Sequence, residues 1–304
     1  MLTRRNLLKT ASLAAVASAI PFASFSNQEK EYSPFRFCLN TSTIREQNPG
    51  LLNYIDIASR AGYDGIELWV DDVKQYLSKG NPASSLKKYI ADHHLKVENA
   101  IGFAPWLLGK EGFDQMKRDM ELMASIGCTR IAAPAAGVKA DHPLDLEKAG
   151  QAYRQLIDLG RQTGVMPLLE FWGASTVLYN ISQAMMICSL ANDPDVKILA
   201  DVYHLFRGNS GFESLKMLRG NVIEVFHMND FVASIPREAQ KDSDRVYPGD
   251  GAAPMKQILT DLKNMGGTKV LSLELFNEEY WKQDPLMVAR TGLEKMKALT
   301  QQLG

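Results

Sequence analysis

Eight short runs of apolar and β-branched residues recur along the chain, and patterns with helical periodicity separate them. The runs are Arg36–Asn40, Gly65–Trp69, Lys96–Ala100, Arg130–Ala133, Met166–Glu170, Lys197–Asp201, Val222–His227 and Val270–Leu275. Their starts lie about 30 residues apart, the length of a strand, a crossover helix and two loops, with a longer gap before the last. Between them, Leu51, Ile55, Ile57, Ala58 and Ala61 share one helical face. So do Met116, Met120, Met123 and Ile126, then Leu146, Ala149, Tyr153, Leu156 and Leu159, and later Met255, Ile258, Leu259 and Leu262. A methionine stripe at that spacing reads as core. Gly62, Gly127, Gly164 and Gly266-Gly267 follow the helical patterns, where a left-handed cap is wanted. Strand alternating with helix implies a parallel sheet covered by helices. Eight such units predict an α/β fold, a single (β/α)8 barrel over residues 31–304. An open doubly wound sheet is the rival, but its phosphate-binding turn needs glycine. The first strand is instead followed by Thr41-Ser42-Thr43.

A strand buried on both faces should be nearly all apolar. Four of the eight break that rule at their carboxyl ends, with Glu170, Asp201, His227 and Glu274. That end is where barrel active sites are built. Carboxylates brought together repel one another, and a divalent cation removes the cost. The set is therefore read as ligands of one divalent metal ion, Mn, Mg, Co or Zn, with coordination positions left open. His204, three residues after Asp201, is placed to hydrogen-bond a substrate hydroxyl. Asp230, three after His227, is expected to support that histidine from behind and fix its tautomer. Arg245 lies with Gly249-Asp250-Gly251 in the long connection before the last strand, a loop suited to closing over a ligand. Trp69, Trp106, Trp172 and Phe276 fall at or past strand ends, where aromatic walls suit the C–H faces of a sugar. Glu67 and Glu98, on the second and third strands, are expected to reach the same pocket. His93, His94 and His142 carry no assigned role.

Lys plus Arg is 34 and Asp plus Glu is 35, a formal net charge of −1, so no basic face is offered to nucleic acid. Three cysteines, Cys38, Cys128 and Cys188, cannot staple a chain of 304 residues and read as small buried hydrophobes. Residues 1–26 differ from the rest. Arg4, Arg5 and Lys9 precede an apolar run from Ala11 to Ile20 and then small residues, with no acid among them. The run is too short to span a bilayer of about 30 Å. The stretch resembles a twin-arginine export signal, which implies a periplasmic protein without a stable membrane span after processing.

The chain resembles the xylose isomerase-like TIM-barrel superfamily, in its sugar phosphate isomerase/epimerase branch. Gly65-Ile66-Glu67-Leu68, Leu169-Glu170, Asp201-Val202-Tyr203-His204, His227-Met228-Asn229-Asp230, Arg245 with Gly249-Asp250-Gly251, and Leu273-Glu274 carry the likeness. It implies an enzyme in which Glu170, Asp201, His227 and Glu274 bind one divalent ion and His204 and Arg245 touch the substrate. The reaction expected is isomerisation or epimerisation of a carbohydrate, by proton transfer next to a carbonyl through an enediolate, with Glu170 and Glu274 as the proton carriers. The alternatives are a metal-dependent lyase or dehydratase on a keto-sugar or inosose, and a non-catalytic sugar-binding barrel. An exported enzyme seldom meets a phosphorylated metabolite, so the substrate is expected to be unphosphorylated. A homo-oligomer is a further expectation. The endonuclease branch of the superfamily uses several zinc ions and many histidines. Five histidines, of which only His204 and His227 are well placed, do not fit it.

Overall fold

A computed structural model describes residues 33–139, 141 and 143–303. The expected export signal at residues 1–26 lies outside them. The strands are β1 (Phe35–Asn40), β2 (Gly65–Trp69), β3 (Lys96–Ile101), β4 (Arg130–Pro134), β5 (Met166–Glu170), β6 (Ile198–Asp201), β7 (Val225–Met228) and β8 (Lys269–Leu273). They form one eight-stranded sheet in the order β3-β2-β1-β8-β7-β6-β5-β4, and each ladder is parallel. β3 and β4, the two ends of that order, lie side by side. There Arg130 Nη1 donates to the Glu98 carbonyl at 3.1 Å. The architecture is a single (β/α)8 barrel.

The expected helices form. Leu51–Ala61, Lys110–Ser125, Leu146–Thr163 and Met255–Met265 bury the apolar stripes read from the sequence, including all of Met116, Met120 and Met123. The predicted cap glycines Gly62, Gly127, Gly164, Gly266 and Gly267 all take positive φ. β7 starts three residues later than predicted, because Gly220–Val222 forms a 3₁₀ turn opened by Gly220 at φ 61°. Glu274 lies one residue beyond β8, although its N–H still donates to the Met228 carbonyl at 3.1 Å. The three cysteines are free and buried. Among the described residues no helix is long and apolar enough to cross a membrane.

Strand side chains alternate between two faces, and here the alternation separates two cores. Leu39, Leu169, Ile198, Phe226 and Leu271 face outward and pack under the helices in the large core. Cys38, Leu168, Leu199, Val225 and Val270 form a small cluster inside the barrel. Two residues further along each of those strands the next inward position is Asn40, Glu170, Asp201, His227 and Ser272. The polar layer at the carboxyl end is thus the second inward layer of the barrel. It rests on an apolar one.

The seat of the helix Lys110–Ser125 gives a test of this packing. A Cβ on Gly112 would lie 1.9 Å from the carbonyl oxygen of Pro105. Alanine gains up to about 1 kcal/mol in helix propensity over glycine, but overpacking against backbone costs about 1–3 kcal/mol. Gly112→Ala is therefore expected to destabilise the barrel in urea unfolding. An unchanged or higher midpoint would show that the helix can lift from Pro105 at no cost.

Candidate active site

Asp201 ends β6 and also caps the helix that follows, Val202–Arg207. Its Oδ1 accepts the His204 N–H at 2.7 Å. That cap fixes the carboxylate and leaves Oδ2 turned into the barrel, where it accepts from Asn229 Nδ2 at 2.8 Å. His227 pairs with Asp201 in the β6–β7 ladder and is fully buried. Glu274, just past β8, accepts from Asn40 Nδ2 at 3.1 Å through Oε1. His227 Nδ1 is 3.2 Å from Glu274 Oε2 and 3.9 Å from Asp201 Oδ2, yet has no hydrogen-bond partner. One ligand atom from each of Asp201, His227 and Glu274 lies within 4.8 Å of the other two. Glu170, the fourth expected ligand, is buried nearby but does not join them at that distance.

The group behind His227 is Glu67. His227 Nε2 stands 3.1 Å from Glu67 Oε1. The same carboxylate accepts from Asn99 Nδ2 at 2.6 Å, Ser272 Oγ at 2.6 Å and Asn40 Nδ2 at 2.9 Å. With its oxygens so engaged, Glu67 does not line the cavity. It holds the histidine with Nε2 as donor, which leaves Nδ1 bare for a ligand. This replaces two expectations. Glu67 is not at the substrate surface, because it lies one inward position deeper than Trp69 on β2. Asp230 does not support His227, because its backbone bridges to Val246. Its carboxylate is turned away to accept the N–H groups of Phe231, Gly249, Gly251 and Ala253. Asp230 thus ties down the loop that carries Arg245. Glu98 also lies away from the cavity, paired with Arg36 at 2.7 Å and with Arg130.

The electrostatics divide the two candidate proton carriers. Burial pushes Glu170 up to about 8; nearby Glu274 and Glu67 add to the push, and His227 opposes it. Burial would raise Glu274 as well, but His227 and Arg245 hold it well below the usual carboxylate range. For His227, burial lowers the pKa, yet Glu274 and Glu67 carry it well above the ordinary imidazole value. A proton and a metal cation are alternative answers to that negative surrounding. His204 is pushed down by burial and is neutral, and its Nδ1 accepts the Gly173 N–H at 3.2 Å. Nε2 therefore carries the proton. The close approach needs glycine at position 173, since a Cβ there would lie 2.6 Å from the Gly208 nitrogen and 2.8 Å from the His204 carbonyl oxygen.

Arg245 is 1% exposed. Its Nη1 donates to Glu274 Oε2 at 2.7 Å and Asp201 Oδ2 at 3.1 Å, and Nη2 pairs with Asp242. The expected closing loop is thus already folded against the site. Above these groups lies a cavity of about 430 Å³ lined by Glu170, His204, Asp242, Arg245, Glu274, Trp69, Phe103, Trp172 and Phe276, among others. Trp69 and Phe103 meet edge-on at 5.2 Å between ring centroids, and Phe103 meets Trp172 at 5.9 Å. Phe103 had not been singled out, although it stands just past β3, as Trp69 stands at the end of β2. Trp106 was expected in this wall and is not there. Its indole N–H donates to the Pro134 carbonyl at 2.7 Å, and it borders a separate cavity of about 560 Å³.

One imidazole nitrogen without a partner and two carboxylates suit a divalent ion. Asp201, His227 and Glu274 would hold it, with Glu170 within the same buried group.

A family model described as "Xylose isomerase-like TIM barrel" matches residues 55–299. An inosose isomerase from Bacillus licheniformis is 30% identical over 268 residues, covering 85% of this chain and 95% of its own. A fructoselysine 3-epimerase from Escherichia coli O157:H7 is 22% identical over 262 residues, covering 80% and 90%. Among solved structures, that of the IOLI protein with a bound zinc atom superposes with a TM-score of 0.80 at 26% identity. It covers 88% of this chain and 99% of that one.

Removal of the Asp230 carboxylate isolates its role. Asp230→Ala leaves four loop amides without an acceptor. Hydrogen exchange at Gly249, Gly251 and Ala253 is expected to quicken by about tenfold or more, while the strands keep their protection. Unchanged exchange at those amides would remove Asp230 from the support of the loop.

Proposed function

The chain belongs to the xylose isomerase-like TIM-barrel family, and from that premise we propose that it is a divalent-metal-dependent isomerase or epimerase of an unphosphorylated sugar or inosose. Relatives that match most of its length, an inosose isomerase and a fructoselysine 3-epimerase, support the reaction class. The observation that carries the reading is the buried cluster of Asp201, His227 and Glu274 at a cavity that Glu170 also lines; the environments of its two carboxyls diverge as well. Glu170 is pushed up to about 8, while Glu274 is held low. Environments that separate two carboxyls in this way set up proton transfer.

Asp201, His227 and Glu274 would hold a divalent ion, with Glu170 beside it, and the ion would supply Lewis-acid stabilisation of the oxyanion that forms as a proton leaves the carbon beside a carbonyl. The chain's own groups do the rest. Glu170 takes the proton from that carbon, the C–H electron pair forms a carbon–carbon double bond, the carbonyl π pair moves onto its oxygen, and an enediolate results. Return of a proton to the other face gives the epimer, and return to the neighbouring carbon gives the isomer. Glu274, the second carrier, takes a proton from solvent once its pairing with Arg245 loosens and delivers it to carbon, while Glu170 releases the proton it removed to solvent. His204 donates its Nε2 proton to a substrate oxygen. Trp69, Phe103 and Trp172 take the apolar C–H face of the ring and exclude water. The cavity lining holds the carboxylates Glu170, Asp242 and Glu274 against the single guanidinium of Arg245, already paired. The described lining therefore offers no unpaired basic side chain to a phosphate, which favours a neutral sugar. A hydroxyl β to the carbanion would instead leave as water, the lyase outcome. Residues 1–26 are proposed to direct the chain to the periplasm, which N-terminal sequencing of the periplasmic fraction checks.

The test is a panel of keto-sugars and inososes in D₂O, with metal-stripped protein and added Mn²⁺, Mg²⁺, Co²⁺ or Zn²⁺, followed by NMR. Deuterium is expected at the carbon beside the carbonyl only with metal present. Glu170→Gln is expected to lose about 10²–10⁴-fold in turnover. Because the base works ionised, kcat/KM should rise with pH, about tenfold per unit below the Glu170 pKa. A bound cation moves that limb to or below about 8. Full turnover by Glu170→Gln, or exchange without metal, overturns the assignment.

A further inference from the structure

The oxygens of Asp201 and Glu274 nearest His227 Nδ1 are already taken by a cation, the guanidinium of Arg245. Nη1 is 3.1 Å from Asp201 Oδ2 and 2.7 Å from Glu274 Oε2. Asp201 Oδ2 also accepts from Asn229 at 2.8 Å, so both of its lone pairs are in use. Asp201 Oδ1 is engaged by the His204 N–H and Glu274 Oε1 by Asn40. A divalent ion approaching through Oδ2 and Oε2 therefore meets a positive charge bonded to the same atoms, and at a few ångströms the two repel strongly.

The guanidinium has a second place to go. It lies over the rings of Tyr203 and Phe276, 4.5 and 5.0 Å from their centroids. Its Nη2 already pairs with Asp242, which is 54% exposed at the cavity mouth. His204 Nε2 lies 3.3 Å from Nη2, but that nitrogen carries the proton, so two donors face each other without a bond. A slide across the two rings toward Asp242 would free both carboxylates and place the guanidinium against a ligand in the cavity.

We propose that Arg245 is the resident counter-cation of the metal-free site, and that metal loading transfers its guanidinium from Asp201 and Glu274 to Asp242 and the substrate. The proposal rests on the metal-binding reading given above. It makes substrate contact by Arg245 a property of the loaded enzyme, and it makes metal affinity include the work of evicting an arginine.

Calorimetric titration of metal-stripped protein with Mn²⁺, together with thermal melting, tests it. Arg245→Met is expected to melt lower than wild type without metal, because two buried carboxylates lose their counter-charge. It should bind Mn²⁺ about tenfold or more tightly, and saturating Mn²⁺ should close the gap in Tm. Arg245→Lys, which keeps the charge, should bind Mn²⁺ more weakly than Arg245→Met. Should Arg245→Met not fold without metal, the Nε–Hε resonance of Arg245 in the wild type, identified by its loss in Arg245→Lys, takes its place. The signal is expected to shift on Mg²⁺ addition. Equal or weaker Mn²⁺ binding by Arg245→Met, or an unmoved resonance, overturns the inference and leaves the metal site standing. A wild type that takes up no divalent ion overturns both, and the first titration reveals it.

Discussion

The contact between His227 Nε2 and Glu67, at 3.1 Å, decides which nitrogen the histidine presents to the site. Everything else at that end of the barrel follows from it. Glu67 can act as the acceptor because Asn40, Asn99 and Ser272 fill its remaining lone pairs. Those residues come from β1, β3 and β8, so one carboxylate ties the closed sheet together through its interior. A buried carboxylate without such partners would lose its charge, since desolvation opposes the ionised form. With them it stays ionised. The barrel's register thus sets the histidine's tautomer, and the tautomer leaves Nδ1 turned toward Asp201 and Glu274.

The same end holds Glu67, Glu170, Asp201 and Glu274 at no more than 5% exposure. Hydrogen bonds satisfy Glu67, and Arg245 pairs with Asp201 and Glu274. Glu170 has no ion pair with Arg245, and the pull of His227 and the Trp172 hydrogen bond offset burial only in part. Its raised pKa is the residue of a charge imbalance the others have settled. The site is therefore not a symmetric ring of ligands. It has a fixed part, organised by hydrogen bonds, and one carboxyl free to exchange a proton.

The barrel was legible in the sequence because its signal is local and repeated. Helical stripes and capping glycines recur, and polar residues stand where apolar strands end. Glu170, Asp201, His227 and Glu274 were found by that last contrast, which needs no tertiary information. The supporting residues were harder. Asp230 stands three residues from His227 in sequence, as a supporting carboxylate might, but the strand has ended by then and its side chain turns to the loop. Glu67 is 160 residues from His227, and only ladder register places them together. The readable clue was alternation. Asn40, Glu67, Asn99 and Ser272 are polar residues at inward positions of otherwise apolar strands, and they form one layer. Trp106 and Phe103 were exchanged for a similar reason. Both follow β3, and no pattern in sequence says which ring turns toward the barrel axis.

This division explains how one floor can serve several substrates. Strand residues with filled hydrogen-bonding capacity build the floor, and a change there disturbs neighbours on two or three strands. Loop residues build the rim. Phe103 is 41% exposed, Asp242 sits in a 3₁₀ turn, and neither is tied into the strand ladder. Exchanging a rim residue alters the shape and charge offered to a ligand while His227 and Glu67 stay as they are. Chemistry is then set by the barrel and substrate choice by the loops, which is why resemblance along the whole chain fixes the reaction class before it fixes the sugar.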